Sequence, residues 1–557
     1  MKPTDGNLAR LLVRRVTEAP HHPLYVFLDR HGAIETSLSR ESLYDVASRL
    51  ASRLQDQELQ RRPVALFLPH GPSFVIAFWA AILVGAVPVP LTRAHSSSRA
   101  RRLASYQRQE SSGIPRDILE GCAAAAVLTV SARAEAVSRE TGLPVMVTDA
   151  GFAESRLREP LDMRSDRAAF IQYTSGSTAA PRGVRVSHAN ILHNCETISR
   201  AFGIRADDVG VSWLPLHHDM GLIGHVIQPV YSGISNHFLS PTVFAARPLR
   251  WLQAMARYRG SISGGPDSAF ALCNNRVAPE DAAGLDLSRW RLAYCGAERI
   301  RPATLDRFAS RFRASGFARH ALYPCYGLAE STLFVSGRHG LRTRPVPESG
   351  ATGSDAVSVG ACPPDARVTV SDPEAGTALP DGQVGEVTVS SPSVADGYHG
   401  DLAQTAERFR VQPGGARVTL RTGDLGFLQD GELYITGRSD NCIQYHGRNV
   451  FAEDIEAAVM EAEPDGILRC AVFASEPDGQ EPGTRITIIL EHDGQTSRSR
   501  AERHTETVPG IVSLATGVVP HQVLLWPRGS IPVTTSGKTR RNRCRDLYLR
   551  MPQKVCR

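Results

Sequence analysis

The sequence predicts an α/β protein: a large N-terminal domain of layered α/β sheets ending in a small β-rich subdomain, then a small mobile α+β C-terminal domain. Three observations carry this. At 557 residues the chain exceeds what one hydrophobic core sustains, so two or more domains are expected. Apolar runs of strand length alternate with helical patterns over the first half, which suggests parallel strands joined by crossover helices. From about residue 359 the texture becomes short alternating strands between Pro, Gly and Asp turns, and it changes again after Arg438.

In order along the chain, residues 40 to 54 read as a helix and Pro63 to Leu68 (PVALFL) as a buried strand. Phe74 to Leu91 is a run of eighteen uncharged, mostly apolar residues, the lower limit for a membrane span. Gly85, Pro88 and Pro90 interrupt it, so a buried helix over 74–84, a turn at Gly85 and a short strand explain it better. With no second span and no basic flank, no integral membrane segment is expected. Residues 124–130 and 145–147 read as further strands, and in the β-rich stretch so do 366–370, 385–390 and 432–436. The boundary is set at Ser439–Asp440, dividing 1–438 from 439–557. Beyond it lie a candidate helix at 452–461, strands at 469–474 and 485–490, and a polar stretch at 494–503. No fixed period of repeat length is present, which argues against a solenoid.

Composition is that of an ordered globular protein, 42% hydrophobic and 22% charged. A net charge of +6 leans slightly toward acidic partners without specifying nucleic acid. The ten cysteines are scattered without a CxxC pair, so structural zinc is not expected. The N-terminal MKPTDGNLARLLVRR lacks the long apolar core of a secretory leader, and free thiols in a cytoplasmic setting are the simplest account.

The most informative segment is Tyr173 to Val184 (YTSGSTAAPRGV), which follows the apolar residues 168–171. Hydroxyls at Thr174, Ser175, Ser177 and Thr178 surround Gly176, and Arg182 adds a cation. Successive N–H groups beside glycine make an anion-binding concavity, although the Walker order GxxxxGK[ST] is absent. Alone, the segment reads equally well as a Ser/Thr-rich surface turn. Other segments are similarly modest in isolation. Ser212 to Gly224 (SWLPLHHDMGLIG) carries paired histidines that could merely cap a core helix. Ser263 to Asp267 (SGGPD) and Tyr294 to Glu298 (YCGAE) read as strand-to-helix turns. Tyr326 to Glu330 (YGLAE) offers an aromatic face, a glycine permitting close approach and a carboxylate. In Arg421 to Gly426 (RTGDLG), Asp424 follows an expected tight turn, and one carboxylate can accept both hydroxyls of a ribose.

Taken in order, and followed by Gly437 to Asn441 (GRSDN), Gly447 to Glu456 (GRNVFAEDIE) and Ile531 to Arg540 (IPVTTSGKTR), these segments resemble the motifs of the adenylate-forming superfamily. The SWLPLHHDMGLIG segment and Ala329 are most similar to fatty acyl-AMP ligases. The resemblance runs from about Leu8 to Leu549. Ala179 stands where glycine is usual, Arg182 where lysine is usual, and Ala452 where proline is usual.

The resemblance implies ATP-dependent conversion of a carboxylic acid to an acyl-adenylate, then transfer to the phosphopantetheine thiol of an acyl carrier protein. It implies ATP and Mg2+ as cofactors. Lys538 would steer the attacking carboxylate, His218 would lie near carboxylate and adenylate, and Glu330 would bind Mg2+. Nucleotide binding would fall to Thr174, Ser175, Gly176, Ser177, Thr178, Arg182, Gly296, Ala297, Glu298, Tyr326, Gly327, Asp424 and Arg438. Ser263, Gly264, Gly265 and Cys295 would form the acyl pocket, and Asp440 the hinge. The family's extra segment after YGLAE has only residues 336–357 to occupy here, so free CoA stays open beside a carrier protein as acceptor. A stand-alone amino-acid activator and a non-catalytic nucleotide-binding relative stay open as well. The basic cluster Lys538, Arg540, Arg541, Arg543 and Arg545 suggests a nucleic-acid arm on charge alone. With the motifs upstream, docking of an acidic carrier protein is the better expectation, and no nucleic-acid partner is expected.

Overall fold

A computed structural model describes residues 6–93, 112–150, 155–174, 181–347, 355–411, 418–445, 448–463, 466–475, 484–493, 498–533 and 538–550. Its largest sheet has eight strands. In spatial order they are Phe334–Gly337, Leu322–Gly327, Leu292–Cys295, Ile262–Gly265, Val209–Ser212, Ser235–Phe238, Pro23–Leu28 and Ile34–Ser39. The six inner strands run parallel and the two edges antiparallel. Parallel strands need both faces covered, and the strands Leu292–Cys295 and Ile262–Gly265 are accordingly buried at every position.

A second, four-stranded parallel sheet joins Val87–Pro90, Pro63–Leu66, Ala126–Thr129 and Val145–Val147. It contains the end of the long apolar run. Helix Pro72–Val84 is buried at every residue from Phe74 onward. Gly85 ends it in the left-handed conformation at φ 71°, which glycine adopts without steric cost, and the strand Val87–Pro90 follows. Among the described residues no helix is long and apolar enough to cross a membrane.

The β-rich subdomain is a five-stranded antiparallel sheet of Arg367–Ser371, Gly385–Ser390, Phe409–Val411, Val418–Gln429 and Glu432–Arg438. One sequence expectation is corrected here. RTGDLG is not a tight turn but part of the twelve-residue strand Val418–Gln429. Gly423 takes φ 73°, and the pairing register slips between Glu386 and Thr388 opposite this segment. Such a bulge kinks the strand and re-aims the side chain that follows, here Asp424.

Hydrophobic residues from Ile443 to Leu525 form a cluster of their own around Ile455, Val459, Val472 and Ile488. A smaller one joins Phe473, Ile489, Trp526 and Cys544. The sheet within is Ile467–Ser475, Arg485–His492 and Gln522–Trp526, with helices Ala452–Ala462, Arg498–Thr516 and Arg541–Leu549 around it. The stretch read as merely polar at 494–503 is partly the start of helix Arg498–Thr516. The strand Gln522–Trp526, parallel to its neighbour, was not anticipated.

Candidate active site

The C-terminal ends of the inner strands converge with the β-rich subdomain on one cleft, the usual ligand position in an open parallel sheet. Ser175, Gly176, Ser177 and Thr178 lie outside the described residues, as does Gly447. Their flanks form an antiparallel pair in which Thr174 faces Arg182. The Arg182 guanidinium lies 5.5 Å over the Tyr398 ring, and the Tyr398 hydroxyl donates to Glu330 Oε1 at 2.8 Å. A cation, an aromatic ring and a carboxylate thus stand in sequence at the base of the loop. Gln172, on the same strand, donates to the His217 carbonyl at 2.9 Å and ties that strand to the histidine segment.

Tyr326 and Asp424 meet from different sheets: the phenol donates to Asp424 Oδ2 at 2.6 Å. Burial, reinforced by the adjacent carboxylate, raises the Tyr326 phenol well above its ordinary range, so it stays a protonated donor. Arg438 Nε lies 3.2 Å from Asp424 Oδ1. Each carboxylate oxygen keeps a lone pair for a further donor. Asp424, Glu330 and Asp440 all favour the charged form of Arg438, which places the four groups within electrostatic reach. Asp440 itself sits exposed in the short turn Ser439–Asn441. Gly327 is forced by crowding, because a Cβ there would stand 1.8 Å from the Leu333 carbonyl oxygen.

His218 starts the short helix Asp219–Leu222, and its Nδ1 lies 2.5 Å from Asp219 Oδ1. Burial alone would push the Asp219 carboxyl up. The His218 ring and its hydrogen bond, the Met220 N–H and the Lys538 ammonium outweigh it and hold the group below the usual carboxylate range. Lys538 reaches this point from the far end of the chain. Its ammonium donates to the Ala297 carbonyl oxygen at 2.5 Å. Ala297 takes φ 68°, a left-handed conformation rare for a residue with a side chain, and its carbonyl is thereby presented to the cleft. Glu298 turns away: its carboxylate accepts from the Ser268 N–H at the start of helix Asp267–Arg276. Two further contacts cross the same junction. Arg299 pairs with Asp454, and Arg301 Nη2 donates to the Glu453 carbonyl at 3.4 Å.

A largely apolar cavity opens beside these groups. It runs from Gly296, Ala297 and Tyr326 to Ile262 and Gly210, which lie at the level of Leu292. Four residues separate Gly296 from that level, about 13 Å at about 3.3 Å per residue. Ser263, Gly264, Gly265 and Cys295, expected at the acyl pocket, are not among the residues that line this cavity. Side chains alternate across a strand, and the register sets Ser263, Gly265 and Cys295 on the opposite face. There Ser263 accepts from Trp251 Nε1 at 2.8 Å, and a Cβ on Gly265 would meet the Trp213 ring at 2.7 Å. Gly264 shares the cavity face but lies under the Tyr294 ring, 2.7 Å from where its Cβ would be. The wall is Tyr294 and Ile262.

The AMP-binding enzyme family matches residues 12–399. A medium-chain-fatty-acid–[acyl-carrier-protein] ligase, JamA of Moorena producens, is 35% identical over 98% of this chain and 96% of its own. The chain belongs to the AMP-binding enzyme family. As such it is an adenylate-forming enzyme that uses ATP. A 4-hydroxyphenylalkanoate adenylyltransferase of Mycobacterium tuberculosis is 33% identical over 98% of this chain and 92% of its own. Among solved structures, one from work on fatty acyl-adenylate ligases of E. coli and L. pneumophila has a TM-score of 0.84. It is 31% identical over 98% of this chain and 97% of that one. The fatty acyl-adenylate ligase of L. pneumophila in complex with acyl adenylate and pyrophosphate has a TM-score of 0.73 at 30% identity, over 99% of this chain and 97% of that one.

For this AMP-binding enzyme, sequence reasoning had passed over several residues of the cleft. Asp219 directly follows the two histidines and carries their electrostatics, a signal available in the motif itself. Tyr398, Arg299, Asp454 and the cavity residues His225 and Gln228 lie where only packing brings them to the site.

Proposed function

We propose that this chain activates a fatty or related carboxylic acid with ATP as an acyl-adenylate, then hands the acyl group to the phosphopantetheine thiol of an acyl carrier protein. The observation that carries the reading is Lys538 at the junction of cavity and cleft, 2.5 Å from the Ala297 carbonyl and acting on Asp219. There an ammonium can neutralise an incoming carboxylate and the phosphate it attacks, two anions that otherwise repel. The acid's oxygen bonds to the α-phosphorus and the bond to pyrophosphate breaks. Asp424, steadied by Tyr326 and Arg438, takes the ribose hydroxyls, and Thr174 and Arg182 flank the departing phosphates.

Glu330 suits Mg2+: a single carboxylate fits a hard cation whose remaining ligands come from phosphate and water. The ion would offset charge on the triphosphate.

We divide the chain at 438/439, with Asp440 as the hinge. Rotation there would withdraw Lys538 and admit a thiol, whose sulfur bonds to the acyl carbon as AMP leaves. The names of the relatives support a carrier-protein acceptor, and the free cysteines among the described residues support a cytoplasmic setting.

The test is ATP–pyrophosphate exchange over a panel of carboxylic acids, then single-turnover transfer to carrier protein and to free CoA. Acid-dependent exchange with transfer to carrier is the expected result. Exchange with no acid in the panel overturns the activation reading, and transfer to CoA alone overturns the acceptor.

A further inference from the structure

Four glycines line the cavity: Gly210, Gly224, Gly296 and Gly327. Crowding forces three of them. A Cβ would stand 2.2 Å from Asn236 Oδ1 at Gly210, 2.8 Å from the Cys325 carbonyl oxygen at Gly296 and 1.8 Å from the Leu333 carbonyl oxygen at Gly327. At Gly224 a Cβ would meet nothing beyond its own helix backbone within 4 Å, and the φ there is not positive. Gly224 is interior to a helix, in the π-turn Ile223–Ile227 between Asp219–Leu222 and Gln228–Ser232. Glycine weakens a helix interior relative to alanine. Neither packing nor backbone conformation therefore accounts for it.

The open space beside Gly224 belongs to the cavity. On this helix the lining residues are Asp219, Met220, Gly224, His225, Gln228 and Pro229, one stripe with Gly224 at its middle. Ile223, Val226 and Ile227, on the other faces of the same turn, are buried.

Resting on the acid-activating reading above, we propose that Gly224 sets the length of acid the cavity takes, its missing side chain leaving the passage through which an aliphatic chain of more than about six carbons runs on toward the far end.

The length follows from the helix. The carboxylate belongs at the mouth, where Lys538 acts on Asp219. Five residues of continuous helix separate Asp219 from Gly224, about 7.5 Å at about 1.5 Å per residue. A zigzag chain with bonds of about 1.5 Å covers that distance in about six carbons. Shorter acids end before Gly224, and longer ones pass it. Pro229 and Ile234 lie beyond it, just before strand Ser235–Phe238 and so at the end of the sheet away from the cleft. The wall there is apolar and suits methylenes. A branched side chain at position 224 would stand across the path.

The experiment measures pyrophosphate exchange by the full chain with butanoate, hexanoate, octanoate and decanoate, in the wild type, Gly224→Ala and Gly224→Leu. The wild type is expected to favour decanoate over butanoate in kcat/KM. In Gly224→Leu that ratio is expected to fall at least about tenfold, since each methylene shut out of an apolar pocket is worth about that much. In Gly224→Ala it should fall by a smaller factor, with thermal stability at or above that of the wild type because alanine is the better helix former. A purely structural role would lower the rates with all four acids together and leave the ratio unchanged. Should the leucine variant fail to fold, the alanine ratio decides. An unchanged ratio, or a wild type that prefers butanoate, overturns the inference while leaving acid activation standing. No exchange with any acid overturns both.

Discussion

The Lys538 ammonium and the Ala297 carbonyl oxygen, 241 positions apart in sequence, are joined by a 2.5 Å hydrogen bond. On the proposed mechanism this contact suits the adenylating half-reaction. Replacing Lys538 by alanine is expected to slow pyrophosphate exchange by about a hundred- to a thousandfold, the usual scale for losing a donor aimed at developing charge. Transfer from pre-formed acyl-adenylate should stay within a few fold of wild type, because that half-reaction needs Lys538 withdrawn. Parallel loss of both rates would contradict the assignment.

Arg299 and Asp454 pair across the same junction. The Arg299 side chain is 9% exposed and that of Asp454 26%. Burial pushes the Asp454 carboxyl up while Arg299 opposes the rise, so the pair is costly to break from one side. Asp454→Ala is expected to lower exchange about tenfold, and Arg299→Ala/Asp454→Ala to recover part of that loss. A loss in the double variant equal to the two single losses added together would show that the two residues do not act as a pair.

What the sequence made legible was local. The helix over 74–84, its glycine stop and the strand after it were readable because burial, breaker and length agree within twenty residues. Lys538, Tyr326 and Asp424, each in a contiguous motif, could be singled out as candidates, and the structure places them at one cleft. The rest depended on pairing. RTGDLG has turn residues, yet antiparallel neighbours on both sides keep it a strand and make Gly423 a bulge. The cavity wall fell on Tyr294 and Ile262 because alternation has a phase that register sets and a motif does not.

Acid should destabilise the fold through its buried histidines. Burial pushes His70, His188, His225 and His237 each down to about 4. Unfolded, these rings take up protons near their ordinary value of 6.5, so the unfolded chain binds more protons between that value and 4. Their stabilisation is complete above 6.5 and is lost as pH falls through the window. Asp267 acts oppositely. Burial raises it from 3.8 to about 6 despite Arg301, so its contribution is present below 3.8 and is lost as pH rises through 6. Four rings against one carboxyl give a net loss of at least about 2 kcal/mol between pH 7 and pH 5 in urea titrations. Asp267→Asn removes the opposing group and should steepen that loss. A flat or shallower profile would contradict both assignments.

The basic cluster near the C-terminus divides by burial. Arg541 turns inward, bonding Glu453 at 2.9 Å and Glu456 at 2.6 Å, and so serves the fold of its own unit. Arg540 is half-buried ahead of the helix. Arg543 and Arg545 are exposed, and Arg543 has only a loose contact with Asp546 at 3.9 Å. Exposed charges chiefly set the rate of encounter with an oppositely charged partner. Arg543→Glu with Arg545→Glu is therefore expected to reduce acyl transfer to an acidic carrier protein about tenfold, through the carrier's KM and not through kcat. Because such attraction is screened over about 10 Å at 0.1 M salt, added salt should weaken the wild type toward the variant. Pyrophosphate exchange lacks the carrier and should be unchanged in the same protein. A variant that transfers to carrier as well as wild type at low salt would assign these two arginines to solvent alone.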